Sequence, residues 1–382
     1  MKVLHSTSDW LSLTKKWLFD QVRYADRTVG HDVWCDEIKG QWELPEHGNV
    51  ILEPKNKSQI IINKVIRKLF PTIIIPAKSK VINFQDYDIF VSHFGPRAWH
   101  DLPYVKCHKN LKKVVRFYGY DLNLGRNSII WWQRYQKVFS EYDHIVSMGP
   151  AMSKQLLDLG ASRAKITESA LGIDQEDMLP RKNDVVSLTD PMRIIVIGSF
   201  VQKKGILLAI KGTQRFVEKS GCDVVLTIVG DASPSDQSSV LERQKINVAA
   251  REATFQIRFA GYLGYQELIT EIARNLIILA PSITAEDGDN EGGYNLTTVL
   301  AIGRGLICLT SDHCDGKLLV GNNNGLLFDE NDVSGIADGL EMIRTKSIDE
   351  IKEMSARSIA HCVSVFDSKS LYQGLLAELR ED

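Results

Sequence analysis

The sequence predicts an α/β protein made of two Rossmann-like domains, and three observations predict it. Short β-branched apolar runs alternate with longer amphipathic stretches along most of the chain, the pattern of parallel βαβ units. The pattern is interrupted at the charged, Pro-bounded segment 179–191 (LPRKNDVVSLTDP) and restarts at Arg193, so that segment reads as a linker. With 382 residues the chain is long enough for two proper cores. Two such domains facing each other would place a ligand in the cleft between their strand ends.

The elements follow in order. Val3–His5 reads as the first strand, and the start of the chain is too short and too polar for a signal peptide. Strands at Ile89–His93, Val114–Tyr118 and His144–Met148 follow, with helical stretches between them. In the second half the strands are Arg193–Gly198, Val224–Gly230, Ile257–Ala260, Leu276–Ala280 and Leu306–Thr310. From Ile348 to Glu381 the pattern is helical without strands. Trp131 and Trp132, on a helical run with Arg134 and Tyr135, read as helix core rather than a sugar-stacking platform.

Composition narrows the function classes. Apolar residues make up 44% and charged residues 25%, as in ordinary soluble globular proteins. A net charge of −2 gives no overall field that would attract nucleic acid. No apolar run approaches the ~18 residues of a membrane span. The six cysteines are scattered, without Cys-x-x-Cys spacing, and read as reduced thiols of a cytoplasmic protein. Cys314 beside His313 lacks the further close ligands that a metal pair needs, so no metal is expected. Residues 54–80 carry seven basic and no acidic side chains. That face is either simply solvated or rests on anionic lipid as a peripheral membrane contact.

Two constellations carry chemistry. The run 280–295 (APSITAEDGDNEGGYN) joins an apolar strand to a helical run through a loop with four carboxylates and three glycines. Free N–H groups at such a helix start suit a diphosphate, and glycine allows close backbone approach. The run 198–205 (GSFVQKKG) likewise joins strand to helix and offers lysines to phosphate; a solvated Lys-Lys pair is the alternative. His93 stands at the C-terminal edge of its strand, where α/β folds bind ligands.

Together these runs resemble the donor-site motifs of the retaining, GT-B fold glycosyltransferases of family GT4. The likeness is strongest to the branch that builds bacterial exopolysaccharide, capsule or lipopolysaccharide. The segments 88–96 (DIFVSHFGP), 116–121 (RFYGYD), 146–152 (VSMGPAM), 171–174 (LGID) and 324–327 (NGLL) resemble further motifs of that branch in the same order, the last as the loop after the final strands. The resemblance implies a GT-B fold with an acceptor domain at 1–180, a donor domain at 181–355 and a C-terminal helix, 356–382, crossing back to the first domain. It implies a hexosyltransferase that passes a sugar from a nucleotide-diphosphate donor to a glycan or lipid-linked acceptor, without cofactor or metal. Lys204 would contact the diphosphate, with Gly205 opening the helix behind it. Glu291 would hold sugar hydroxyls while Gly292 and Gly293 offer amides. His93 and Asp121 would orient the reacting face, with Thr14, Trp17 and Tyr118 on the acceptor side. The chain departs from the family at three positions. Ser199 stands where an arginine is expected, Tyr118 replaces a histidine, and Val299 replaces the glutamate that would hold the ribose. Asn295, Thr297 and Thr298 are the nearby polar groups that would compensate for Val299. The departures leave a second reading, a catalytically inactive relative acting as a partner subunit.

Overall fold

The computed structural model describes residues 1–11, 16–23, 29–40, 48–54, 69–178, 191–321 and 323–381. Thr14, most of the basic face at 54–80 and the linker at 179–190 therefore lie outside the described residues. The chain divides into two compact units, Met1–Leu171 with Ser368–Asp382, and Gly172–Asp367. The sequence reading set the corresponding breaks at 180/181 and 355/356.

The first unit is built on a seven-stranded sheet. Its strands are β1 (Lys2–Trp10), β2 (Gly30–Ile38), β3 (Val50–Leu52), β4 (Ile89–His93), β5 (Lys112–Arg116), β6 (His144–Ser147) and β7 (Ile166–Glu168). They lie in the order β3-β2-β1-β4-β5-β6-β7, all parallel. The connections carry α1 (Lys16–Arg23), α2 (Gly95–Val105), α3 (Tyr120–Asn127), α4 (Ile129–Glu141) and α5 (Pro150–Asp158). Alternate residues face opposite sides of such a sheet. Val3, Ile89, Val91 and Val114 form one core cluster, while Leu4, Trp34 and Phe90 join Phe84 and Val105 in another. Both faces are covered, so the strands read as nearly unbroken apolar runs.

The second unit has six parallel strands: β8 (Met192–Ile197), β9 (Val224–Val229), β10 (Gln256–Gly261), β11 (Ile277–Ala280), β12 (Ile307–Ser311) and β13 (Gly325–Phe328). Their order is β10-β9-β8-β11-β12-β13. The helices are α6 (Ile206–Ser220), α7 (Gln237–Glu252), α8 (Tyr265–Ile272), α9 (Leu296–Gly303), α10 (Val333–Arg344) and α11 (Ile348–Phe366). One core runs through it, from Met192, Ile194 and Val196 across Leu226 and Leu279 to Ile336 and Leu340. The helical end of the chain is two helices rather than one. After α11 the chain passes Asp367, and α12 (Ser368–Glu381) packs Tyr372, Leu375, Leu376 and Leu379 on the first unit's cluster. No described helix is long and apolar enough to cross a membrane.

Several elements differ from the sequence reading. β2 was missed because its sequence, GHDVWCDEI, sets His31 and Asp32 among the apolar residues of a buried strand. Asp32 is tolerated there because Asn49 N, Tyr87 Oη and Lys2 Nζ all bond its carboxylate, at 2.9, 2.7 and 2.7 Å. β3 and β7 are three-residue strands, too short to show a period. Residues 324–327, read as a loop, mostly form edge strand β13, which pairs with β12. Trp132 is not core: it is 41% exposed, and α4 buries Tyr135, Val138 and Phe139 instead. The helical period places those three on one stripe and turns Trp132 away from it.

Candidate functional site

In both sheets the strand order reverses at one point, between β1 and β4 and between β8 and β11. Ligands of open α/β sheets bind at the carboxyl ends of the strands flanking such a point. The polar groups singled out from the sequence gather there, one set in each unit.

In the second unit, β8 runs into the turn 198–205 and β11 into the loop 281–295. The two are in backbone contact, since Ile283 N donates to Lys203 O at 2.9 Å. Gly205 begins α6 in a left-handed conformation with φ 62°, and a Cβ there would lie 1.8 Å from the Pro281 carbonyl oxygen. Only glycine satisfies both demands. The aliphatic stem of Lys204 crosses Gly198, where a Cβ would come within 3.0 Å of it.

Lys204 Nζ meets Glu291 at 2.8 and 2.9 Å from its two carboxylate oxygens. Ser282 Oγ donates to the same carboxylate at 3.0 Å. Lys203 Nζ bonds Asp289 at 3.0 Å and the Asn290 carbonyl at 3.2 Å. Burial pushes the Glu291 carboxyl up, but the Lys204 and Lys203 charges and the hydrogen bonds outweigh it, and its pKa is lowered. Glu291 is therefore an anion at neutral pH.

The loop is held from behind. Glu291 N donates to His313 Nε2 at 3.4 Å, and His313 Nδ1 bonds Glu330 at 3.0 Å. Glu330 also accepts from Thr284 N. Gly292, at φ 74°, donates its amide to Asn290 Oδ1 at 2.9 Å. Gly293 lies beside it, buried. Asn295 caps α9 by accepting from Thr297 N and Thr297 Oγ1 at 3.1 and 2.8 Å. Its Nδ2 reaches toward the Ile197 carbonyl at the end of β8. Ser199 is half-buried, and Val299 is fully buried in α9, where Thr298 to Gly303 are all buried. The structure thus joins Lys204, Gly205, Glu291, Gly292, Asn295 and Thr297 around the ends of β8 and β11, and Val299 is buried in α9.

In the first unit, His93 ends β4. Phe94 follows at φ 78°, an uncommon conformation for a non-glycine residue and a sign of a constrained turn. His93 Nδ1 bonds Tyr118 Oη at 2.5 Å, and His93 Nε2 bonds His5 Nδ1 at 3.0 Å. The Tyr118 ring packs against Trp17 and Phe94, each at 4.5 Å between centroids. Asp121 is fully buried, and its carboxylate accepts from Gly95 N at 3.0 Å and Tyr118 N at 3.1 Å. It ties the turn after β5 to the start of α2. Burial raises its pKa to about 6, against the pull of those amides. Beside His93 a cavity of about 660 Å³ opens, lined by Asp36, Glu53, Arg97, His100 and Tyr120 among others. Among the described residues, no group of three or more His, Cys, Asp or Glu has the arrangement to hold a metal ion. Cys314 sits 3.4 Å from His313 Nε2, and burial pushes its thiol up to about 11.

Sequence reasoning missed Ser282, His313 and Glu330 in one unit, and His5, His31 and Tyr372 in the other. A signal was present for two of them. A histidine inside an apolar parallel strand, as in Val3-Leu4-His5, is a buried polar group that must find a partner.

Residues 191–345 match the family described as Glycosyl transferases group 1. The amylovoran biosynthesis glycosyltransferase AmsK of Erwinia amylovora is 27% identical over 256 residues, 65% of this chain and 60% of that protein. The putative colanic acid biosynthesis glycosyltransferase WcaL of Escherichia coli K12 is 23% identical over 273 residues, 71% of this chain and 65% of that protein. The chain thus spans less than two thirds of the length of these relatives. Among solved structures, sucrose-phosphate synthase of Thermosynechococcus elongatus matches with TM-score 0.74 at 12% identity, covering 100% of this chain and 98% of that one. HepE of Anabaena, in complex with UDP and glucose, matches with TM-score 0.73 at 13% identity, covering 100% and 99%. The two parallel-sheet units therefore have the GT-B architecture, and the stretch that matches the group 1 glycosyltransferase family lies within the second of them.

Proposed function

We propose that this chain is a retaining glycosyltransferase of cell-surface polysaccharide synthesis. It would move a sugar from a nucleotide-diphosphate donor to a glycan or a lipid-linked acceptor. The Lys204–Glu291 pair, at the strand edge of the matched domain, carries this reading. A cation and a carboxylate placed side by side beside two helix starts suit a ligand with an anionic diphosphate and a hydroxyl-rich sugar.

The second unit would take the donor. An arriving diphosphate competes with Glu291 for Lys204 and takes up the N–H groups that open α6. Glu291, released, accepts hydroxyl hydrogens from the sugar. As the glycosidic bond to the diphosphate breaks, negative charge grows on the departing oxygen, and Lys204 with the helix starts stabilises it. Gly292 and Gly293 let the loop backbone approach the phosphates, and Asn295 and Thr297 lie near the nucleoside. The first unit would take the acceptor in the cavity beside His93, whose Asp36, Glu53 and His100 suit sugar hydroxyls.

Titration calorimetry with UDP- and GDP-sugars tests the proposal, followed by NMR of the product's anomeric configuration. Binding of one donor and a retained configuration are expected. Failure of every donor to bind would overturn it in favour of the non-catalytic partner, which the fully buried Val299 favours. Membrane contact through residues 54–80 belongs to the same proposal. Leu69 and Phe70 in that stretch are exposed, and flotation with anionic liposomes is the measurement.

A further inference from the structure

The loop that carries Glu291 is fastened to groups that follow the next two strands. His313 comes just after β12 and Glu330 just after β13. Near the start of the loop, Thr284 N donates to Glu330. Near its end, Glu291 N donates to His313 Nε2 at 3.4 Å. The two fastenings are joined, because His313 Nδ1 and Glu330 Oε2 lie 3.0 Å apart. Ser311 Oγ adds a further one, donating to the Ser282 carbonyl at 2.6 Å. His313 itself is buried, at 3% exposed.

The partners fix where the ring carries its proton. A backbone amide can only donate, so Nε2 meets it with a lone pair. A carboxylate can only accept, so Nδ1 carries the hydrogen. Burial pushes the Glu330 carboxyl up, but the His313 bond and the Thr284 amide outweigh it, and its pKa is lowered. Glu330 is therefore the acceptor of that bond. Cys314 Sγ also lies 3.4 Å from Nε2, and burial pushes it up to about 11, so it stands there as a thiol rather than a thiolate. Both ends of the ring demand the same tautomer.

This clip matters most once a ligand arrives. The Glu291 carboxylate is bonded to Lys204 and to Ser282. A diphosphate that takes Lys204 removes the charged partner of the two. The main-chain bond to His313 then has a larger share in keeping the carboxylate in place. Displacing such a group by ~1 Å is enough to lose much of its effect.

We propose that His313 is a positioning residue: as the Nδ1–H tautomer, braced by Glu330, it holds the Glu291 main chain and so sets where the donor's sugar lies relative to its diphosphate. The role rests on the transferase reading, whereas the tautomer does not.

The test combines NMR and titration calorimetry. In protein labelled with 15N-histidine, His313 is expected to carry its proton on Nδ1, its signals assigned by their loss in His313→Gln. An Nε2–H tautomer overturns the proposal without any ligand. Calorimetry then compares UDP-glucose, UDP-galactose and GDP-mannose with bare UDP and GDP. In His313→Asn the amide reaches the Nδ1 position, so the Glu330 bond is kept and the Glu291 bond is lost. That variant is expected to bind the sugar nucleotide about tenfold more weakly and the bare diphosphate within about twofold of the unmodified protein. In His313→Gln the amide reaches the Nε2 position, and both affinities are expected to stay within about threefold. Equal losses for sugar nucleotide and bare diphosphate in His313→Asn overturn the proposal, because a general loosening of the unit produces them. So does a His313→Asn variant that binds like the unmodified protein, or a His313→Gln variant no better than His313→Asn. If no sugar nucleotide binds the unmodified protein, the positioning role falls with the transferase reading, and the tautomer alone decides whether the clip is built as described.

Discussion

At the head of the second unit's sheet the polar side chains are charged and paired, Lys204 with Glu291 and Lys203 with Asp289, at the edge of solvent. At the head of the first unit's sheet the histidines and Tyr118 lie inside the protein, and each is bonded to the next. The difference follows from what each kind of contact can do. An ion pair at a strand edge can exchange one partner for an incoming charged ligand, because the new partner restores the Coulomb energy that the old one supplied. A buried hydrogen-bond chain loses the full desolvation cost of whichever group is left unpaired, so it keeps one geometry. The second unit is suited to capture an anion, and the first to hold its side chains in one arrangement.

The comparison breaks most sharply at the ion pair. Lys204→Ala and Glu291→Ala are each expected to lower kcat/KM at least about 100-fold, about 2.7 kcal/mol of transition-state stabilisation. Because the pair is largely buried, either variant leaves one charge unpaired and the melting temperature should fall as well, so transfer is compared at a temperature where both variants remain folded. Normal transfer by either variant would remove the basis of the donor assignment.

Gly205→Ala comes next. It forces a Cβ onto the Pro281 carbonyl at a positive φ, and should cost about 2 kcal/mol or more in denaturant unfolding. Donor affinity should fall with it, because the turn and the loop that meet there frame the site.

Asp121→Asn sharpens the other side of the comparison. The folded carboxyl has a pKa of about 6 against 3.8 for the free group, so the folded state binds its proton more tightly. Stability from this group is greatest below about pH 4, declines as pH rises to about 6 and is flat above. Asp101 is raised to about 6 as well, by burial that outweighs Arg97. The variant should keep only part of the decline in stability between about pH 4 and pH 6, read from melts at stepped pH. An unchanged profile would mean that Asp121 is not held as described.

The smallest effect is expected from chelation. If Lys204 and the helix starts carry the leaving-group charge, transfer in EDTA should stay within about twofold of the control. A loss beyond tenfold, restored by one divalent ion, would shift that role to a metal.

Much of this was legible in the residues. The alternation of β-branched and amphipathic runs yielded two parallel-sheet units, because strands covered on both faces must be apolar throughout. Lys204, Gly205, Glu291 and Gly292 could be singled out as candidates because each lies in a run that follows a strand, where glycine and charge stand out. β2 stayed hidden because its Asp32 needs partners as far away as Tyr87, and β13 because four residues show no period. Trp132 was misplaced because two adjacent tryptophans on a helix cannot share one face.

What the sequence alone determined is the succession along the chain of the longer strands, turns and helices, and the chemical kind of the loops between them. Those depend on neighbours close along the chain. What only the tertiary structure decided is which side chains meet across strands. His31, His5, His93 and Tyr118 are far apart in sequence, and become a line only once β2, β1, β4 and β5 lie side by side in register. The same holds for α12, whose Tyr372 reaches His5 because the chain's last helix packs on its first sheet. Such contacts are set by strand order and register, which local spacing does not encode.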